Sequence, residues 1–283
     1  MVKESCLLLF GTFCYLASFN GNSAQANNEQ LITHLEKLSS PDFAGRKNGT
    51  IGHALASNYI ALNLIPQNNA NTSISERFFY EYGFKEKTGV NHLFIKSGRV
   101  HLNKYIVITA HYDHLGKKSG KIYPGADDTA SGTAALLTLK PWLDSIDTNY
   151  SIVLLATDAE EEGLQGAKAF LTDSIINTSE IIFNINLDMI SYGAKHKDLY
   201  IVGTRQWPEL KPLIEKVNKT TNIDFIYKSR LEDKSISSVK SYINLHKASD
   251  HYEFHKIGIP YLFVTGENHT NYHSTNDTFE NIN

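Results

Sequence analysis

The sequence predicts an α/β protein in which a twisted, mostly parallel mixed sheet lies between layers of helices on both faces. Short apolar, β-branched segments, typical of buried strands, alternate along the chain with segments whose apolar residues recur at helical spacing. With 283 residues, 41% of them hydrophobic and 20% charged, the chain has enough apolar side chains for one sizeable core. Because strands that alternate with helices pack as a covered parallel sheet, we expect a three-layer architecture.

The first predicted elements are two amphipathic helices and a pair of strands. Residues 29–38 and 52–64 have apolar side chains three and four positions apart, and a proline follows each segment closely. Alternating apolar residues at 78–82 and 91–95 predict antiparallel strands. They precede the apolar run 105–110, which we expect to be a buried central strand.

The remainder of the chain continues the alternation of strands and helices. Further strands are predicted at residues 151–156, 181–187, 198–202, 223–227, 242–245 and 261–265. Helices are predicted from residue 129, after Gly163, near Pro208 and over residues 250–256. We found no repeat, low-complexity block or linker, so residues 27–283 are predicted to form one domain.

Residues 1–26 have the features of a secretory signal peptide. Lys3 supplies a positive charge, residues 6–17 form an apolar segment too short to span a bilayer, and residues 24–26 form an A-x-A cleavage site. Both cysteines lie inside this segment, so the mature protein is expected to contain no disulfide. We therefore predict export to a periplasm or the extracellular space. The net charge of −3 gives no reason to expect a nucleic-acid or membrane partner.

Side chains that can bind metals follow the apolar runs, where the carboxyl ends of parallel strands would meet. They are His111, Asp127 on the following loop, Glu160, Glu161, Asp188 and His273. Two imidazoles and several carboxylates without a thiolate suit zinc or another divalent first-row ion that keeps an open coordination position. The set is larger than one catalytic zinc needs, and it predicts two zinc ions that share a carboxylate.

Each of these residues also has a plainer interpretation. His111 alone could be a structural histidine, Asp127 a helix cap, residues 160–162 a solvated charge run and Asp188 a turn residue. His114, His251 and His255 are expected to be structural or supporting, and His246 is a candidate for contact with a substrate. The occurrence of all these residues at strand ends favours a metal site.

Six ordered motifs resemble the bacterial leucyl aminopeptidase family of secreted exopeptidases with two co-catalytic zinc ions. They are H-Y-D-H-L-G, P-G-A-D-D-x-A-S-G, E-E-x-G-L, N-L-D-M, S-D-H-x-x-F and Y-H-x-x-x-D, and the resemblance covers roughly residues 40–281. The turn F-A-G-R at residues 43–46 is also similar to that family. Only about 65 residues separate Arg46 from His111, too few for the protease-associated domain that some relatives insert there.

The resemblance implies a zinc-dependent exopeptidase fold and a metal ligand set. Asp127 would bridge the two zinc ions. His111 and Asp188 would complete one metal position, and Glu161 and His273 would complete the other.

The resemblance also implies roles for neighbouring residues. Glu160 would be the general base, and Tyr272 would donate its hydroxyl to the developing oxyanion. Asp113 and Asp277 would hold the second nitrogens of the two ligand histidines. A cis peptide bond is expected between Asp127 and Asp128.

The expected function is hydrolysis of amino-terminal residues from peptides by a monomeric enzyme. The resemblance leaves three alternatives. A glutaminyl cyclase uses one zinc on this fold and lacks the first-site histidine, so His111 argues against it. A carboxypeptidase would need a binder for the substrate carboxylate, for which Arg205 and Arg230 are candidates. A catalytically dead binding module would have lost metal ligands, and none is missing here.

Overall fold

The computed structural model of the chain describes residues 21–64, 73–83, 86–172, 176–192, 198–233 and 241–282. Most of the predicted signal peptide, residues 1–20, lies outside this described part. Helix α1 covers Gly21–Ser39 and therefore includes the predicted cleavage position after Ala26. Among the described residues, no helix has both the length and the apolar character needed to cross a bilayer.

The centre of the fold is an eight-stranded mixed sheet. Its strands are β1 (Ser73–Tyr82), β2 (Lys87–Lys96), β3 (His101–His111), β6 (Tyr150–Thr157), β7 (Ile181–Leu187), β8 (Asp198–Val202), β9 (Asp224–Tyr227) and β12 (Tyr261–Thr265), in the order β1-β2-β6-β3-β7-β12-β8-β9. Two small hairpins are separate: β4 (Gly116–Lys118) with β5 (Lys121–Tyr123), and β10 (Arg230–Asp233) with β11 (Ser241–Asn244). The central strands β6, β3, β7 and β12 run parallel. The pairs β1–β2, β2–β6 and β12–β8 are antiparallel, and β9 pairs in parallel with β8.

Helices cover both faces of this sheet, as predicted. After α1 they are α2 (Ile51–Leu64), α3 (Gly132–Ser145), α4 (Gln165–Thr172), α5 (Lys211–Asn218) and α6 (His251–Lys256). Alternate residues of β3 enter different cores, since Ile106 and Ile108 pack with residues of α1, α2 and α3, and Val107 packs with residues of α4 and α6. This alternation follows from the two-residue period of a strand and confirms the three-layer prediction.

The parallel central strands bring four chain segments to one edge of the sheet. His111 is the last residue of β3, and Asp188 follows directly after β7. Residues 158–164 follow β6, and residues 266–278 follow β12. The predicted convergence of strand ends at one rim is therefore confirmed.

Two local features differ from the sequence prediction. The helix expected from residue 129 starts as an α-helix only at Gly132, because Ala126–Ser131 forms an irregular turn in which Asp128 and Thr129 have non-helical torsion angles. The loop on which Asp127 was expected contains the β4–β5 hairpin. The first of these changes decides which aspartate faces the rim.

Candidate metal centre

The first group of potential metal donors consists of His111, Asp128 and Asp188. His111 Nε2 lies 3.4 Å from Asp128 Oδ1 and 3.4 Å from Asp188 Oδ1. All three residues are buried, with exposures of 1%, 4% and 6%. One imidazole and two carboxylates therefore converge in a small volume at the ends of β3 and β7.

The second group consists of His114, Asp128, Glu161 and His273. His273 Nε2 lies 3.0 Å from Asp128 Oδ2 and 3.4 Å from Glu161 Oε1. His114 Nδ1 lies 2.8 Å from the same Glu161 oxygen and 3.8 Å from Asp128 Oδ2. The donor atoms of this group all lie within 4.8 Å of one another. The sequence interpretation, which treated His114 as structural or supporting, missed its place here; its position in H-Y-D-H was the available signal.

Asp128, and not Asp127, is the residue common to both groups. Its Oδ1 faces His111, whereas its Oδ2 faces His273, so each oxygen belongs to a different group. The prediction that Asp127 bridges the metals is therefore wrong by one residue. The prediction of a cis bond between Asp127 and Asp128 is wrong in the same way, since the cis peptide joins Asp128 to Thr129.

The Asp127 side chain is held by other partners, and these contacts explain why Asp128 and not Asp127 is shared by the two donor groups. Its Oδ1 accepts hydrogen bonds from Ser191 N and Ser191 Oγ, both at 2.8 Å. Its Oδ2 lies 3.1 Å from His269 Nε2. Because Asp127 is fully buried and both of its oxygens have partners, it supports the loop and does not face the donor groups.

Asp113 and Asp277 hold backbone amides that carry the donor residues. The Asp113 oxygens accept from Glu160 N and Glu161 N at 3.0 and 3.3 Å. Asp113 Oδ1 also lies 3.5 Å from Nδ1 of His111, the ligand histidine that Asp113 was expected to hold. Asp277 accepts from Asp127 N and Asp128 N, so its expected contact with His273 is replaced by support of the Asp127–Asp128 turn.

Arg46 links the loops behind the site. Its side chain is fully buried and donates hydrogen bonds to the carbonyl oxygens of Leu38, Tyr112, Pro124 and Gly125 at 2.7–2.9 Å. It thereby joins the end of α1 to the segments that contain His114 and Asp128. The motif F-A-G-R predicted a turn here but not this set of contacts.

The electrostatic environments of Glu160 and Glu161 differ although the residues are adjacent. Burial, and after it the charges of Asp188 and Asp250, raise the pKa of Glu160 well above its usual value. Burial and Asp128 also act to raise the pKa of Glu161, but the adjacent imidazoles of His114 and His273 outweigh them and lower it to about 2. Two neighbouring carboxylates whose pKa values move apart are typical of a division between acid–base and ligand roles.

A cleft of about 280 Å³ opens over the two donor groups. Glu160 and Tyr272 lie in its wall, and burial raises the pKa of the Tyr272 hydroxyl, which keeps it protonated. The cleft is also lined by six apolar side chains, those of Met189, Leu231, Ile243, Leu245, Ala248 and Phe263. The cleft therefore combines a polar floor with an apolar pocket.

Three other sequence candidates lie outside the residues that line this cleft. Arg205 and Arg230 are exposed. His246 Nδ1 lies 2.8 Å from the Tyr261 hydroxyl and 3.1 Å from Gln206 Nε2. The structure does not bring these residues to the donor groups.

The donor atoms fit a cation. Asp188 Oδ1, Glu161 Oε1 and both ring nitrogens of His114 are buried without a hydrogen-bond partner among the described residues. Buried polar atoms normally have partners, and carboxylates crowded together without one are costly. Imidazole and carboxylate donors without thiolate match the ligand preference of catalytic zinc sites.

The fold and this constellation define a peptidase-type metal centre, and comparison with known proteins agrees. The model of Peptidase family M28 matches residues 93–283, and the chain belongs to that family. It is 28% identical over 215 residues to aminopeptidase YwaD of Bacillus subtilis (strain 168), with 70% of this chain and 42% of that protein covered. The chain spans about half the length or less of the curated relatives it matches.

Solved structures share the fold at low sequence identity. Legionella pneumophila LapA aminopeptidase superposes with a TM-score of 0.69 and 18% identity, covering 90% of this chain and 66% of that chain. Porphyromonas gingivalis glutaminyl cyclase gives a TM-score of 0.67 and 17% identity, covering 90% and 91%. These matches establish the three-layer fold and place both an aminopeptidase and a cyclase on it.

Proposed function

We propose that this protein is a zinc aminopeptidase that binds two metal ions and removes residues from the amino termini of peptides. The observation that carries the proposal is the sharing of Asp128 by two donor groups at the floor of a partly apolar cleft. His111 and Asp188 complete the first group, and Glu161 and His273 belong to the second. Zinc ions bound there would polarise the scissile carbonyl and lower the pKa of an attacking water.

Glu160 is the proposed proton carrier. It lies in the cleft wall and belongs to neither donor group, so its carboxylate is free to take a proton from water and pass it to the leaving amine. Burial raises the pKa of its carboxyl above the usual value, which suits a group that must both take up and release a proton. Asp113 keeps Glu160 and Glu161 in place through their backbone amides.

Tyr272 is the proposed stabiliser of the oxyanion. Its ring stacks on the imidazole of His273 at a centroid distance of 3.9 Å, which places the phenol beside the second donor group. A protonated hydroxyl in the cleft wall can donate a hydrogen bond to the carbonyl oxygen as negative charge develops on it.

The charge of the cleft supports recognition of a free amine. Among the described residues that line it, the charged or ionisable ones are carboxylates, histidines and a tyrosine, without a lysine or arginine. A carboxypeptidase needs a cation for the substrate carboxylate, whereas an ammonium group is favoured beside carboxylates such as Glu160 and Asp188. The apolar wall formed by Leu231, Ile243 and Phe263 would accept the side chain of the residue that is removed.

One substrate panel tests the proposal. Purified protein is assayed with leucyl-anilide, amino-blocked leucyl-anilide, a carboxyl-terminal peptide substrate and a glutaminyl peptide, and the metal content of the same sample is measured. We expect cleavage of the free-amine substrate alone, loss of activity on chelation and recovery with Zn²⁺. Cleavage of the amino-blocked or carboxyl-terminal substrate, or ammonia release from the glutaminyl peptide, would support the alternatives instead.

Export is also part of the proposal, supported by the charge, apolar segment and A-x-A site of residues 1–26. Expression of the full chain in a bacterial host, followed by amino-terminal sequencing of the mature protein, tests it. We expect a new amino terminus at Asn27. An intact Met1 in a cytosolic fraction would contradict export without affecting the proposed chemistry.

A further inference from the structure

We propose that His114 is a metal ligand through Nδ1, so that four protein side chains hold the second metal position and three hold the first. The inference rests on the proposed two-metal function and adds a ligand to it. The four side chains are those of His114, Asp128, Glu161 and His273, whereas the first position has His111, Asp128 and Asp188.

The position of His114 is the first line of evidence. Its side chain is fully buried and its Nδ1 lies within the same 4.8 Å cluster as the other donor atoms. The ring packs against Gly125, where a Cβ would lie 2.5 Å from His114 Cδ2. A glycine at this place therefore makes room for the imidazole next to Asp128.

The orientation of the ring is the second line of evidence. Nδ1 comes within 2.8 Å of Glu161 Oε1, yet the pair does not have the alignment of a hydrogen bond, and both atoms are buried without a partner among the described residues. His273 Nε2 lies 3.4 Å from the same Glu161 oxygen, and this pair also lacks the alignment of a hydrogen bond. Donor atoms that approach one another without pointing at each other are expected when all of them face a common ion.

The third line of evidence is the absence of another explanation for a polar ring at this depth. A buried imidazole normally forms hydrogen bonds through its nitrogens, as His251 does with the carbonyl of Leu245 at 2.9 Å. His114 has no such bond among the described residues, and its near neighbours are the donors themselves. Ligation of an ion satisfies Nδ1 and places the ring proton on Nε2.

The consequence is an unequal pair of metal positions. Four protein donors fill a tetrahedral zinc shell, as in structural sites, whereas three leave a coordination place open, as in catalytic sites. We therefore expect the His114 position to bind its ion more tightly and to be filled first. The His111 position would be the more exchangeable one, with room for water or substrate.

The experiment compares metal binding by the wild-type protein, H114A and H92A. His92 is a buried histidine outside both donor groups, bonded to Ser57 Oγ at 2.8 Å, so H92A controls for the loss of a buried ring. Metal-free samples are titrated with Zn²⁺ against a chromophoric chelator, and bound zinc is counted by mass spectrometry. We expect two ions of unequal affinity in the wild type and in H92A. In H114A the tighter affinity should fall by more than ~100-fold, beyond the 10–100-fold typical of residues that only support ligands.

A second measurement needs no variant and remains informative if H114A does not fold. In the Co²⁺-loaded wild-type protein, each coordinated histidine gives a hyperfine-shifted imidazole N–H signal. We expect three signals, from His111, His114 and His273, and slow solvent exchange for the buried His114 Nε2–H. Two signals, or unchanged tight affinity in H114A, would overturn the inference. A wild-type protein that binds fewer than two ions would refute the two-metal proposal itself.

Discussion

The carboxylate of Asp277 accepts a hydrogen bond from the backbone N–H of Asp128 at 3.2 Å, although the two residues lie far apart in the sequence. Its other oxygen accepts from Asp127 N at 2.9 Å. Because hydrogen bonds to a charged acceptor contribute about 1.5–3 kcal/mol each, this contact fixes the turn that presents the Asp128 side chain. The carboxyl-terminal segment therefore shapes the metal centre without facing it.

Substitution of Asp277 by Asn should weaken metal binding. An amide replaces one acceptor oxygen by a donor, which cannot accept from a backbone N–H, so the turn at Asp128 loses part of its support. We expect zinc affinity of D277N to fall about 10–100-fold, as is typical for residues that orient ligands. Competition with a chelator measures it. D147N, at an exposed ion pair with Arg99, is the control and should bind zinc as the wild type does.

The pair D127N and D128N tests which aspartate is shared by the two donor groups. D128N should lower the bound metal at both positions, because each of its oxygens belongs to a different group. D127N should keep two ions, since Ser191 and His269 hold that side chain. Metal counting after dialysis decides the matter. Two ions in D128N and fewer than two in D127N would restore the bridging role to Asp127.

The pair E160Q and E161Q separates the proton carrier from the ligand. E160Q should keep both ions and lose at least ~10²-fold in kcat, because general acid–base catalysis typically contributes 10²–10⁴. E161Q should first lose zinc affinity, and added Zn²⁺ should restore part of its activity. Steady-state kinetics at several zinc concentrations distinguish the two variants. The opposite pattern would exchange the two assignments.

Replacement of Arg46 by Lys should destabilise the fold. The guanidinium donates to four buried carbonyl oxygens, and a lysine ammonium has three N–H donors and cannot reproduce this planar geometry. Unsatisfied buried acceptors cost about 1–3 kcal/mol each, so we expect a loss of about 3 kcal/mol in the free energy of unfolding. Urea denaturation of R46K measures it. R99K, at an exposed position, should change stability by less than about 0.5 kcal/mol.

The free energy of unfolding of the metal-free protein should decrease as the pH is lowered, in part because of His92. Burial lowers the pKa of His92 to about 3, below its value of 6.5 in an unfolded chain. Below pH 6.5 the unfolded state therefore binds a proton that the folded state does not, and the contribution present above pH 6.5 is lost progressively toward pH 3. One such group gives a slope of about 1.4 kcal/mol per pH unit between those limits.

Urea unfolding at pH 7 and pH 5 in the presence of a chelator tests this expectation. H92Q, which cannot titrate, should show a shallower decrease than the wild-type protein. Equal decreases for the two proteins would show that His92 does not contribute.

Local patterns were sufficient to predict most of the sheet. The runs 181–187, 198–202 and 261–265 coincide with β7, β8 and β12, because β-branched and apolar residues bounded by turn residues favour buried strands. The rim that gathers His111, Glu161, Asp188 and His273 was also predictable, since parallel strands end at one edge. The β10 strand was missed because its sequence has no clear alternation of apolar residues.

The tertiary structure alone decided how adjacent side chains divide their roles. Asp127 and Asp128 are the same residue type in the same turn, and the non-helical torsion angles of the turn, with φ −103° and ψ 97° at Asp128, determine which carboxylate enters the cleft. The contacts of Asp127 with Ser191 and His269 then hold the other carboxylate away. The placement of His114 beside Glu161 likewise depends on the loops that Arg46 joins.

The sequence by itself therefore determined the fold class and the chemical set at the rim, because strand patterns and residue types are local properties. Only the tertiary structure decided that Asp128 is shared by both groups, that Asp113 and Asp277 support backbone amides, and that His114 joins the donors. These outcomes depend on hydrogen bonds between segments distant in sequence and on the direction in which each buried side chain leaves a turn. Neither is encoded in the spacing of residues along the chain.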